Sequence, residues 1–435
     1  LSLVVGGSQE LAAILRDQLG NPLTGRPVTW ITSDAMVATV SATGLVSGIS
    51  QGPATITASA EGRTGNAAAT VSVVTFTSVV AGGAHTCALT TTGAAYCWGR
   101  GESGQLGIAL PSITCPTDAG PFPCSRTPVA VAGGLEFVQL AAGGAYTCGL
   151  TNDGSAYCWG TRLGGAEFAP VAVATALKFS SIDAGTSHAC ALTSAGAAYC
   201  WGVNLRGQLG DGTTQDRPAP VAVTGGHTFQ LIAAGGFNIG QTCALIGGGD
   251  AYCWGDNERG QLGIAAADLI PHPIPVPVLA PVAFTGLTAG LGRHACGLTS
   301  TGAAYCWGEN TFGALGNASM ADSTVPVAVA GGLAFTQLTA GGFIGHTCGW
   351  TANGTAYCWG ENERGQVGDG STTDRLVPSP VAGGLAFSSL DAGFRHACGR
   401  ATTGAVYCWG SGGAGQLGTN STTQSNVPMK VVGQP

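Results

Sequence analysis

One fifteen-residue stretch recurs along this chain, and its spacing limits what the chain can fold into. A full copy runs His294-Ala295-Cys296-Gly297-Leu298-Thr299-Ser300-Thr301-Gly302-Ala303-Ala304-Tyr305-Cys306-Trp307-Gly308. Seven such copies place Trp98, Trp159, Trp201, Trp254, Trp307, Trp359 and Trp409, at intervals of 61, 42, 53, 53, 52 and 50 residues. A period of that size belongs to blades or solenoid turns. Thr299-Ser300-Thr301-Gly302 supplies a turn, with Gly where φ is expected to be positive. The flanking runs carry Cys, Leu, Tyr and Trp, which suit strands. They are apolar on both faces, so both faces must be covered, as in a blade wedged between neighbours.

The same hairpin organises the cysteines. Fourteen of the sixteen form pairs ten residues apart: Cys87 with Cys97, Cys148 with Cys158, Cys190 with Cys200, Cys243 with Cys253, Cys296 with Cys306, Cys348 with Cys358, and Cys398 with Cys408. In a hairpin with a three-residue loop the two members stand directly opposite, within bridging reach. The eighth pair, Cys115 with Cys124, closes a Pro-rich loop. An even count in local pairs points to disulfides and to export into an oxidising compartment. Each bridge closes a loop of about eleven residues, worth at most ~3 kcal/mol in the chain-entropy model.

The rival reading is zinc, because His85, His188, His294, His346 and His396 precede the first Cys by two residues. Tyr146 and Gln241 replace His in the other copies and no fourth ligand recurs, so the bridge accounts for more of the pattern. The recurring His is expected to be a strand or rim residue bonded to backbone.

Charged residues are 9% of 435 and hydrophobic residues 45%, which excludes charge-driven disorder. A net charge of −7 with no Lys/Arg run argues against nucleic acid and anionic membrane surfaces. No apolar run approaches a membrane span. No secretory leader is visible, and the strand-like Leu1-Ser2-Leu3-Val4-Val5 predicts a processed or trimmed start.

Residues 1–75 lack Cys and follow another pattern. Arg26 to Trp30, Ala38 to Val40, Gly44 to Gly48, Ala54 to Ala58 and Ala69 to Val73 alternate between Gly and Pro turns, predicting a small β-sandwich. The order of these motifs resembles a bacterial immunoglobulin-like domain of group 2, common in surface proteins. That family usually has a further strand before the position of Leu1, which predicts an open sheet edge here.

In residues 76–435 each unit runs Pro-Val-x-Val, an apolar step to Ala-Gly, the Cys hairpin, then Trp-Gly-x-Asn-x-x-Gly-Gln-Leu-Gly, as in Val327 to Gly368. This resembles the repeat of the regulator-of-chromosome-condensation family, over about four-fifths of the chain. The resemblance implies a seven-bladed β-propeller, making the whole an all-β chain of sandwich and propeller. The first unit lacks its Pro-Val-x-Val strand and the chain ends on a surplus copy. Residues 428–432 are therefore expected to pair near 76–80 and close the ring.

Departures from the repeat are where specific function is expected. The first unit carries an insert from Ile108 to Thr127, the fourth a Pro-rich one from Ile264 to Pro281. The second unit replaces its Gly-Gln-Leu-Gly tail with Thr161-Arg162-Leu163-Gly164-Gly165. Phe122, Phe237 and Phe343 lie in departing loops and are candidate exposed anchors for a protein partner. Asp256, Glu309 and Glu361 follow Trp-Gly in three consecutive units and are weak calcium candidates. A solvated face with Arg259 and Arg364 alongside is the favoured alternative. Asn317, Asn353 and Asn420 sit in weak glycosylation sequons.

There is no Gly-x-Ser-x-Gly elbow, phosphate loop or His-Glu-x-x-His. No cofactor and no catalysis are expected. A plant member of the family senses ultraviolet light with tryptophans, but its Gly-Trp-Arg-His-Thr motif is missing here. The reading is a non-enzymatic extracellular or cell-surface protein. It would serve attachment, matrix building or adhesion, with an unknown protein or surface polymer as partner. It could assemble into a filament through the immunoglobulin-like domain. A secreted propeller inhibitor binding through rim loops is the alternative, and a hydrolase with an unrecognised rim site the rival from another class.

Overall fold

Each Cys hairpin forms with the two cysteines as direct cross-strand neighbours. His294–Leu298 pairs antiparallel with Ala304–Gly308, Cys296 opposite Cys306. Thr299 N–H donates to Ala303 O across a three-residue loop, and Gly302 takes φ 82°. The computed structural model describes all residues except 112, 117–119, 162–164, 237–239, 343–344 and 435.

All sixteen cysteines are bridged, each to its neighbour in sequence. In the first four hairpins Cys87 is bonded to Cys97, Cys148 to Cys158, Cys190 to Cys200, and Cys243 to Cys253. In the last three Cys296 is bonded to Cys306, Cys348 to Cys358, and Cys398 to Cys408. These seven bridges have Cα–Cα separations of 4.0–4.1 Å, because the hairpin register sets the two residues face to face. The eighth bridge, Cys115 to Cys124, spans 5.8 Å between Cα atoms and lies outside the repeated hairpin.

The chain divides into two compact units, Leu1–Thr75 with Val431–Pro435, and Phe76–Lys430. In the first unit one sheet runs Ser2–Val4, Arg63–Ser72, Gly52–Ala60 and Thr29–Thr32. A second joins Ser8–Glu10, Leu45–Gly48 and Ala38–Val40. Leu3, Val37, Val46, Ile56 and Val71 are buried together. Ser2–Val4 pairs in parallel with Thr70–Ser72 only, and the Leu1 amino group donates to Ala68 O. Among the described residues the outer edge of 63–67 has no strand partner.

In the second unit the described residues form seven successive propeller-like sheets, six of four strands. The sixth is representative: Phe335–Gly341, His346–Thr351, Ala356–Gly360 and Arg375–Pro380, in that spatial order. The first sheet adds a short strand, Thr114–Cys115, from its insert. The ladder to the outer strand shifts register between Cys358 and Gly360. Gly is required there: at Gly360 φ is 100° and a Cβ would lie 2.6 Å from Gly345 O.

The seven tryptophans are fully buried and join one sheet to the next. Trp307 packs against Cys243 and Cys253 of the preceding sheet, and its ring lies 5.9 Å from that of Phe284, which precedes the first strand of its own sheet. Its indole N–H donates to Gln261 O of the preceding Gly-Gln-Leu-Gly tail. That tail is held by the motif Asn: buried Asn257 Oδ1 accepts from Leu262 N. Trp98 reaches Gln416 O in the same way, so the last sheet meets the first by the contact that Trp159, Trp254, Trp359 and Trp409 also make.

Two expectations are corrected. Residues 428–432 do not pair near 76–80. Ser425–Lys430 instead lies beside Val406–Gly410 as the outer strand of the seventh sheet, with Lys430 opposite Tyr407. The Pro-Val-x-Val strand ends a unit, so the missing and surplus pieces reflected a shifted phase. The second unit also stops at Lys430, and 431–435 belong with residues 1–75, where Val74 N donates to Gly433 O.

The repeats serve as controls for one another. Trp254 donates to Gln208 O, whereas the Trp201 indole N–H, which follows the blade lacking the tail, has no partner among the described residues. Trp254→Phe should therefore cost about 1 kcal/mol more than Trp201→Phe in urea denaturation. Equal losses would remove the tail carbonyl from the account.

Candidate functional site

The zinc alternative finds no support in the geometry. The sulfurs are bridged, and all five repeat histidines are fully buried. Four of them meet a threonine hydroxyl of the next blade through Nε2, as His85 does with Thr147 at 2.9 Å. The partner is thus a side chain, where backbone was expected. Burial holds His85 and His294 down to about 4, and His188, His346 and His396 to about 3, so all are neutral.

Asp256, Glu309 and Glu361 are also buried, which overturns the solvated face. They do not converge. Arg206 Nε lies 3.6 Å from Asp256, whose other oxygen accepts from Gln261 Nε2, and Arg395 Nε lies 3.7 Å from Glu361. Glu258 instead pairs with Arg293 at 3.3 Å. Burial raises all three carboxyls, and neighbouring arginines oppose it. Among the described residues no three His, Cys, Asp or Glu are placed to hold a metal ion.

Phe122 is not an exposed anchor. The Cys115–Cys124 bridge folds its loop back, burying the ring with both cysteines and Ala414, under the Arg100 guanidinium at 4.7 Å. Phe237 and Phe343 lie outside the described residues. The exposed apolar side chains sit elsewhere. Leu205, Leu269 and Ile270 are 62%, 64% and 68% exposed. Arg206 Nη1 donates to Leu269 O, which joins the third blade's tail to the Pro-rich strand Asp268–Pro277.

Sequence reasoning missed the axial channel. The inner strands of the blades enclose a cavity of about 270 Å³, lined mainly by Ala, Val, Leu, Gln and Thr. Its two charged groups are Asp183, of the third blade, and Asp391, of the seventh. Asp183 accepts from Ala234 N of the next blade. Asp391 accepts from Ala81 N of the first blade and from Thr339 Oγ1 of the sixth, so it spans the seam. Both carboxyls border the channel and are otherwise enclosed by protein. Burial pushes each up to about 6 against these bonds, and the charge of Asp391 adds to the rise at Asp183. A signal was visible: the equivalent positions hold Val80, Ala141, Ala233, Thr288 and Thr339.

A family model described as RCC1-like domain matches residues 47–344, and RCC1 repeat models match 353–399 and 403–435. A model described as bacterial Ig-like domain (group 2) matches residues 1–73. The ultraviolet-B receptor UVR8 of Arabidopsis thaliana is 30% identical over 310 residues, 70% of this chain and 57% of that protein. The E3 ubiquitin-protein ligase HERC2 of Homo sapiens is 29% identical over 309 residues, which span 5% of its length. Among solved structures, Prp20p from Saccharomyces cerevisiae aligns with TM-score 0.66 and 20% identity, covering 82% of this chain and 87% of that one. Prp20p is described with binding properties to Gsp1p and histones. Another structure shows yeast RCC1 (Prp20) with Kap60, at TM-score 0.65 and 20% identity, covering 77% and 83%.

The channel carboxylates set a pH dependence. Their folded pKa lies above the ordinary 3.8, so the stability they contribute is complete below about 3.8 and lost as pH rises through about 6. The histidines act oppositely: their stability is present above about 6.5 and lost as pH falls toward 3–4. Their contribution cancels between variants that share them. The double variant Asp183→Asn with Asp391→Asn should therefore gain stability relative to the parent as pH rises from about 4 to about 7. A difference that stays constant across urea titrations in that window would show the burial argument to be wrong.

Proposed function

The chain belongs to the RCC1-like domain family, and from that membership we propose that it is a non-enzymatic, exported interaction protein. In this reading residues 76–430 close as a seven-bladed propeller that presents protein-binding loops. Residues 1–75 are an immunoglobulin-like module of the bacterial surface type. The sheet order and the match over residues 1–73 support the architecture. The eight bridges support an oxidising compartment outside the cell. No helix among the described residues is long and apolar enough to cross a membrane. The activities of UVR8 and HERC2 remain theirs.

The observation that carries the reading is the exposed trio of Leu269 and Ile270, on the Pro-rich departure from the repeat, and Leu205, in the third blade's tail that Arg206 bonds to Leu269 O. Apolar side chains on a surface mark contact sites for proteins, and Prp20 is described bound to Kap60 and with binding properties to Gsp1p and histones. The double variant Leu269→Asp with Ile270→Asp should abolish co-purification of the native partner, with the urea midpoint unchanged because both side chains already face water. Retention of the same partner by the double variant would defeat the proposal.

A second reading, self-association, is favoured by the unpaired outer edge of 63–67, whose backbone groups could accept a strand from another chain. Head-to-tail pairing of that kind gives filaments. Electron microscopy of the native protein decides: filaments that dissolve in a Thr64→Pro variant, which removes an N–H of the outer edge, support it, and discrete particles reject it.

A further inference from the structure

Seven blade interfaces repeat one buried contact. In each, the residue two before the first Cys faces the residue one before the Cys of the next blade. Four interfaces pair His with Thr: His85 with Thr147, His188 with Thr242, His294 with Thr347, and His396 with Thr86, at 2.8–2.9 Å. Each threonine hydroxyl also lies 2.8–3.1 Å from a tail carbonyl: Gln105, Gln208, Ala314 or Gln416. A carbonyl only accepts, so the one hydroxyl proton goes there, and the imidazole must donate Nε2–H.

In the other three interfaces Ala stands where Thr would be. Opposite Ala189 the facing residue is Tyr146, whose hydroxyl reaches Gly185 O and His188 O. Opposite Ala295 it is Gln241, whose Nε2 donates to His294 O. Each of these side chains bonds a carbonyl of the next blade in place of a hydroxyl. Opposite Ala397 the facing residue is still His346. Its ring is fully buried and neither nitrogen has a partner among the described residues. The tail carbonyl at this interface, Gln366 O, accepts from Trp409 Nε1 at 2.9 Å. No threonine hydroxyl stands there to fill its second lone pair.

We propose that the interface of the sixth and seventh blades binds a single water molecule in the place of the missing hydroxyl. The water accepts from His346 Nε2–H and donates to Gln366 O. It lies beside Cys348, as the threonine hydroxyls lie 3.6–3.8 Å from the equivalent sulfurs of Cys87, Cys190 and Cys398. Deleting a hydroxyl and a methyl leaves room on the order of the ~30 Å³ that one water occupies, and two strong polar partners suffice to hold it. The ligand class follows from the site, which offers one donor and one acceptor and no net charge, since the imidazole is neutral.

A crystal structure of the intact, disulfide-bonded protein at high resolution tests this directly. An isolated density peak within hydrogen-bond distance of both His346 Nε2 and Gln366 O is the expected result, and a dry gap there overturns the proposal. Ala397→Thr should expel the water and supply the hydroxyl covalently. It should raise the folded-to-unfolded ratio at fixed urea about five- to tenfold. Ala397→Ser provides the hydroxyl without the methyl should the threonine not fit. Thr347→Ala, at the neighbouring interface, should lower the ratio and acquire a water of its own beside His294. Loss of stability in both Ala397 variants would also overturn the proposal.

Discussion

The structure depends on one contact repeated from blade to blade: the indole of a Cys-Trp-Gly step pressed onto the disulfide of the preceding blade, in six of the seven steps. A two-stranded hairpin apolar on both faces cannot shelter itself. The bridge fixes its two strands in register and presents a compact sulfur surface, on which Trp307 rests against Cys243 and Cys253. Six of the seven indole N–H groups also donate to a tail carbonyl, and that carbonyl comes from the blade before. Packing and polar accounting thus require the same neighbour, which is why the repeats stand side by side.

The bond from indole to tail carbonyl also joins the seventh sheet to the first, with no strand exchanged between them. The seam between the seventh and first blades carries the full set of interface bonds. Trp98 reaches Gln416 O, Thr86 meets His396, and Arg400 Nε donates to Phe76 O. Asp391 adds bonds to blades on both sides. Its placement beside the channel sets a conflict, because the carboxylate is a strong acceptor but a poorly solvated charge. The five buried histidines resolve the same problem differently, by staying neutral.

Much of the ring was legible in the chain. The ten-residue Cys spacing fixed the cross-strand pairs, as Cys296 opposite Cys306 and Cys398 opposite Cys408 show, because register in a hairpin follows from its turn. The Gly of Cys-Trp-Gly and the buried Asn of the tail recur for backbone reasons that act within one unit. The phase of the unit was not legible. A periodic sequence has no intrinsic first strand, and only the pairing of Ser425–Lys430 with Val406–Gly410 shows where each blade ends.

By itself, then, the sequence determined the hairpins, their bridges and the need for mutual cover, since these rest on local spacing and on apolar faces. Tertiary structure alone decided which departures meet. Asp183 and Asp391 come from distant repeats to share one channel. Phe122 turned inward because its loop is bridged at both ends, and Asp256, Glu309 and Glu361 each found an arginine within reach. The tolerance of Tyr146 and Gln241 for alanine across the interface, and the solitary state of His346, depend on side chains about one repeat apart. Spacing along the chain says that such residues repeat; only their packing says what each one faces.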